Sequence, residues 1–163
     1  MKIRTMTRCA LFAALMAVCS WLSVPMGNGA VTMQTLGLFL TLGLLGGVKG
    51  CGAVLIYLCL GMVGLPVFSG FQGGLGVLLG PTGGYIWGFL VSAVLYWSLE
   101  KHLPLWLNLI LCQLICYLCG ILWYSLAYSH DRLWLLVLPY LIPDGIKLCL
   151  SLLLIQKLRR LAA

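Results

Sequence analysis

Charge is what this chain of 163 residues has least of. Asp, Glu, Lys and Arg together make up 8% of it, against about 25% in soluble domains. Hydrophobic residues make up 63%, and the mean hydropathy is +1.10. A water-soluble fold of this composition would have almost nothing polar to place on its surface, so an integral membrane protein is expected. No Asp, Glu, Lys, Arg or His occurs anywhere from Gly50 to Leu99. Catalytic equipment is missing as well. There is no G-K-[ST], no H-E-x-x-H, no G-x-S-x-G, and no His near a second acid for proton transfer. An enzyme is therefore not expected. Cysteine is not scarce, but the eight thiols are scattered through apolar runs. Cys112, Cys116 and Cys119 share a helix face without His or carboxylate company, so packing is expected rather than a metal site or a disulfide framework.

The length allows one domain, residues 1–163, and at about 20 residues per span six helices nearly exhaust it. The opening MKIRTMTRCALFAALMAVCSWLSV has the basic start of a signal peptide. No clean small-x-small cleavage site follows, and more apolar runs do, so a retained first helix is expected over about Thr7 to Val24. Its Ala10 with Ala14, and Ala13 with Ala17, form small-xxx-small pairs along which another helix can approach closely, within the chain or from a partner. Pro25 to Ala30 (PMGNGA) is an uncharged turn. Spans are then expected at Val31 to Gly47, Cys51 to Leu65, Gly84 to Leu99 and Leu105 to Tyr128. The last helix is expected from about Pro143 to Arg160, with Pro143 at its first position and Asp144 in its first turn, and Leu133 to Leu141 as an approach segment or a kinked extension of it. Thr32, Gln34 and Thr35 are expected to cap and be solvated. Ser129 to Arg132 form a polar loop.

The ten Lys and Arg residues fix a topology. With the N-terminus inside, eight of them (Lys2, Arg4, Arg8, Lys49, Lys101, Lys157, Arg159, Arg160) fall at cytoplasmic ends, Arg132 falls outside and Lys147 lies within a span. That asymmetry puts both termini in the cytoplasm. It also assigns the net charge of +7 to membrane orientation rather than to nucleic acid. The PMGNGA turn, the segment between spans three and four, and the start of the last helix then converge on the outer face.

That segment, Pro66 to Tyr85, reads PVFSGFQGGLGVLLGPTGGY. Its seven glycines and two prolines rule out a stable helix interior. An irregular backbone between membrane spans must pack into protein or line a wet cavity, because lipid cannot satisfy its N–H and C=O groups. The segment is expected to wall a binding site. Asp144 and Lys147 are the ionisable residues clearly inside a predicted span, and i, i+3 spacing puts them on one helical face. Charges at membrane depth are costly and by default mark a functional site. The carboxylate can accept two N–H donors from a urea-like or amide group, and the ammonium can meet an anion or a carbonyl. Phe68, Phe71, Tyr85, Trp87 and Phe89 offer aromatic walls, with Tyr85 at the mouth, and Gln72 offers a polar contact.

The run LGMVGLPVFSGFQGGLGVLLGPTGGYIWGF, with VTMQTLG and the later PDGIK, closely resembles the BioY family, the biotin-specific substrate-binding subunits of energy-coupling factor (ECF) transporters. The similarity covers essentially the whole chain. PMGNGA is less proline-rich than the family's first outer loop. The resemblance implies a six-helix protein of the bacterial cytoplasmic membrane, without ATPase activity or cofactor, that captures biotin from outside. It implies association with a transmembrane coupling protein and two ATP-binding-cassette ATPases, which alone use ATP. The partner-docking stripe would be Ala10, Ala13, Ala14 and Ala17. The biotin site would comprise Asp144 and Lys147 with the GPTGGY loop, here Thr82, Gly83, Gly84 and Tyr85. Phe71 and Gln72 are further candidates from the Gly-rich stretch. A subunit for another vitamin, a lipid-acting membrane enzyme and a purely structural membrane protein stand as alternatives.

Overall fold

A computed structural model describes residues 3–26, 29–128 and 137–162. The polar loop at Ser129 to Arg132, the tip of the PMGNGA turn and part of the approach to the last helix lie outside the described residues. Helices dominate: α1 (Ile3–Trp21), α2 (Gln34–Leu45), α3 (Gly47–Met62), the short α4 (Leu75–Leu78), α5 (Gly83–Leu99), α6 (Leu105–Ala127) and α7 (Leu138–Ala162). Helices α1, α6 and α7 are long and apolar enough to cross a membrane, whereas α2, α3 and α5 are apolar but shorter. Their outer faces carry Leu55, Val91, Val94, Leu114, Leu118, Leu122 and Leu153, all exposed. An apolar belt on this scale suits lipid rather than water. Met16, Leu38, Phe39, Leu42, Val54, Tyr57, Phe68, Leu109 and Ile155 fill the interior.

Three departures from the sequence reading matter. The architecture is not purely helical. Ser23–Met26 (β1) and Gly29–Thr32 (β2) pair antiparallel, with Val24 opposite Val31 and Ser23 opposite Thr32. The β-branched Val24, Val31 and Thr32 around a glycine-bearing turn favour a hairpin, so α1 stops at Trp21 and α2 starts only at Gln34. Next, α3 begins at Gly47, four residues before the expected Cys51, because the Glu100 carboxylate accepts the Gly47 amide at the helix start. Finally, the segment before Pro143 is an extension of the helix: α7 runs from Leu138, so Pro143 lies inside it and not at its first position. Proline there forfeits one hydrogen bond, to Pro139 one turn back, and Asp144 lies beyond the first turn rather than in it.

The alanine stripe of α1 divides. Ala13 and Ala17 are buried within the chain, while Ala10 and Ala14 are exposed. Only the second pair is open to another protein. The glycines of α5 serve close helix packing. A Cβ on Gly84 would meet the Trp123 Cβ at 2.3 Å, and one on Gly88 would meet the Cys116 Cα at 3.1 Å, so α5 and α6 lie nearly backbone to backbone.

The Gly-rich segment finds partners for its backbone, as an irregular stretch at membrane depth must. The Val67 carbonyl accepts from Ser20 Oγ (2.6 Å) and from the Tyr57 hydroxyl (3.0 Å). Trp123 Nε1 donates to the Gly80 carbonyl (3.1 Å) and Trp21 Nε1 to the Pro66 carbonyl (2.7 Å). Within the segment, Phe68 N donates to Gln72 O (2.9 Å), closing a tight loop around a 3-10 turn at Ser69–Phe71. These bonds tie the segment to α1, α3 and α6 and hold it beside the hairpin and the start of α7. At the opposite end of the helices, the Cys9 thiol reaches the Lys49 carbonyl (3.4 Å), Glu100 meets Gly47, and Arg159 donates to the Gly43 carbonyl.

Candidate functional site

The hairpin, the Gly-rich segment and helices α2, α5, α6 and α7 enclose a cavity of about 440 Å³, within the roughly 300–1,000 Å³ of small-molecule sites. Its walls are mixed. Phe68, Ile86 and Phe89 supply apolar surface, Ser23 and Ser69 supply hydroxyls from the covering segments, and Tyr85 and Tyr140 face each other with ring centroids 6.2 Å apart. The charged residues among the described lining are Asp144 and Lys147.

Each of these two is only 5% exposed, and burial that deep requires full pairing. Lys147 Nζ lies 2.7 Å from Asp144 Oδ1 and donates also to the Thr32 carbonyl of β2 at 2.6 Å. Thr35 Oγ1 of α2 donates to the same Oδ1 (3.0 Å). The second oxygen, Oδ2, accepts from Gln113 Nε2 (2.9 Å) and from the Tyr117 hydroxyl (2.7 Å), both on α6. One carboxylate thus binds α2 and Lys147 through one oxygen and α6 through the other. The expectation that Thr32, Gln34 and Thr35 cap and are solvated holds only in part: Thr32 Oγ1 accepts the Gln34 amide at the start of α2 (3.3 Å), but none of the three serves as a solvated cap alone. Gln34 is buried and donates to the Tyr57 hydroxyl (2.6 Å), Thr35 holds Asp144, and the Thr32 carbonyl holds Lys147.

Of the residues singled out from the sequence, Asp144, Lys147, Tyr85, Thr82 and Gln72 line the cavity. Gly83, Gly84 and Phe71 do not. A Cβ on Gly83 would sit 2.0 Å from the Leu78 carbonyl, so that glycine lets α5 start tight against α4, and Gly84 faces α6. Phe71 turns outward, 64% exposed, with φ of 58°, and stacks on Trp21 at 5.1 Å. Sequence reasoning missed Ser23, Ser69 and Tyr140 on the lining and, on α6, the two side chains, Gln113 and Tyr117, that hold Asp144. The signal of the α6 pair was available: two polar side chains at i, i+4 on one face of a mostly apolar helix.

The BioY family matches residues 1–163. The chain belongs to the BioY family. A probable biotin transporter BioY of Pyrococcus horikoshii is 34% identical over 160 residues, covering 98% of each chain. The biotin transporter BioY2 of Lactococcus lactis subsp. cremoris is 39% identical over 142 residues, covering 84% of this chain and 77% of that one. Among solved structures, the S-component for biotin from an ECF-type ABC transporter superposes with a TM-score of 0.84 at 28% identity, covering 98% of this chain and 92% of its own. Family membership therefore rests on the whole chain rather than on the GPTGGY run alone.

Proposed function

We propose that this BioY-family protein is the biotin-binding subunit of an ECF-type importer. It would capture biotin from the outer side of the bacterial cytoplasmic membrane and deliver it through a partner complex that supplies the ATP hydrolysis. The observation that carries this reading is the buried Asp144–Lys147 pair on the wall of a cavity lined by both apolar and uncharged polar side chains. An ion pair held there without a ligand to answer it is a poor way to stabilise helices, since well-packed apolar side chains commonly do as well or better. Biotin has a ureido ring with N–H donors and a carbonyl, an apolar thioether ring and a carboxylate tail. The cavity offers a charged pair, aromatic walls and the polar Gln72 and Thr82. The subunit itself is read as having no enzymatic activity and no cofactor.

In this reading α1, α2, α3, α5, α6 and α7 are six membrane spans with both termini in the cytoplasm. The cavity then opens outward, between the hairpin and the Gly-rich segment, and the end bearing Lys49, Lys101 and Arg159 faces the positive-inside compartment. Ligand entry draws the two outer segments over the cavity and excludes water. The exposed Ala10 and Ala14 give α1 a low-relief face for the transmembrane coupling protein, and ATP-driven movement of the two ATPases then turns the loaded subunit inward. Ala14→Leu is expected to weaken association with the coupling protein in a pull-down while leaving biotin binding unchanged.

The direct test is competition against radiolabelled biotin on the detergent-purified subunit. Unlabelled biotin and desthiobiotin are expected to compete, and thiamine and riboflavin are not. Displacement by another vitamin in preference to biotin would move the protein to a different substrate class, and absence of any tight biotin binding would remove the reading.

A further inference from the structure

The polar end of the cavity divides its hydrogen-bonding capacity unevenly. A carboxylate offers about four acceptor positions, and Asp144 has four protein donors on it: Thr35, Lys147, Gln113 and Tyr117. A ligand N–H arriving there must displace one of them. Gln113 differs. Its Nε2 is committed to Asp144, while its Oε1, shut away from water, has no hydrogen-bond donor among the described residues. The two ends of this amide are not interchangeable. An ionised carboxylate only accepts, so the NH₂ group must face Asp144 and the oxygen is left over. Buried acceptors without a donor are uncommon and costly, and this one belongs to a side chain that borders the cavity. Across the same carboxylate, Lys147 uses two of its three protons, on Asp144 Oδ1 and the Thr32 carbonyl. A spare donor and a spare acceptor therefore flank one carboxylate, which complements the adjacent C=O and N–H of a cyclic urea.

Resting on the biotin reading above, we infer that Gln113 is a specificity-determining residue whose Oε1 accepts one ureido N–H of the ligand. Lys147 donates to the ureido oxygen, and Asp144 is the positioning residue that holds both side chains in place. On this assignment the Gln113 side-chain torsions adjust on ligand entry so that Oε1 meets the ureido N–H while Nε2 stays on Asp144. The competing account is that Gln113 only ties α6 to α7, in which case its loss weakens every ligand alike.

The test is equilibrium binding to wild type and to Gln113→Met, with biotin and with two cyclic carbamate analogues. In each analogue one ureido N–H is replaced by a ring oxygen, which keeps the shape and turns one donor into an acceptor. One of the two isomers is expected to bind wild type at least about thirtyfold more weakly than biotin, because two acceptors then face each other. In Gln113→Met that penalty is expected to shrink to within about threefold. An equal penalty in both proteins overturns the assignment. So does a wild type that binds both isomers within about threefold of biotin, or penalises both equally, and this arm decides even if the variant fails to fold. A wild type that does not bind biotin at all removes the underlying reading, and this inference falls with it.

Discussion

Helix α7 handles charge in opposite ways at its two ends. Near the cavity, Asp144 and Lys147 are almost fully buried and pair with each other, with two helices and with a strand. At the far end, Arg159 is exposed and spends one donor on the Gly43 carbonyl, and the half-buried Glu100 receives the Gly47 amide nearby. The far-end charges meet leftover backbone groups at the α2–α3 joint while staying close to water. They do what a capping residue does, cheaply. The cavity-end pair is costly to dehydrate, and its hydrogen bonds join segments remote in sequence. The contrast separates charge kept for holding helices from charge kept for a guest.

Three substitutions sharpen or break that contrast. Asp144→Ala strands four donors in a buried site and is expected to have the largest effect, about 3–5 kcal/mol of stability. It should also weaken biotin binding at least about tenfold, or 1.4 kcal/mol, read by thermal melting and radiolabelled binding side by side. Tyr117→Phe removes one donor to the carboxylate and leaves three, so a loss of about 1.5–3 kcal/mol is expected in denaturation midpoint experiments. Arg159→Gln is expected to cost no more than about 1 kcal/mol, with an unchanged biotin affinity. If Arg159→Gln weakened biotin binding as much as Asp144→Ala, the two ends would not be doing different jobs.

Much of this division was legible in the sequence, and the rest was hidden for physical reasons. Asp144 and Lys147 announced themselves because charge inside an apolar run is expensive wherever it lies, and the Gly-rich segment did so because its backbone cannot be helical. The hairpin was hidden in four-residue strands, too short for alternation to stand out beside long apolar helices. Pro143 misled because proline commonly opens helices, whereas here α7 tolerates it one turn further in. Gln113 and Tyr117 were passed over as polar exceptions on α6, since what makes them matter is a partner 31 and 27 residues away on another helix. The stripe of α1 shows the same limit. Spacing finds Ala10, Ala13, Ala14 and Ala17, but only packing tells which two are covered.

The central claim is that a small molecule answers the buried pair. Its most direct test is saturation binding of radiolabelled biotin to the purified wild type and to Lys147→Met in the same detergent. Wild type should saturate and the variant, still folded by thermal melt, should bind at least about tenfold more weakly; equal affinity in the two proteins would contradict the account.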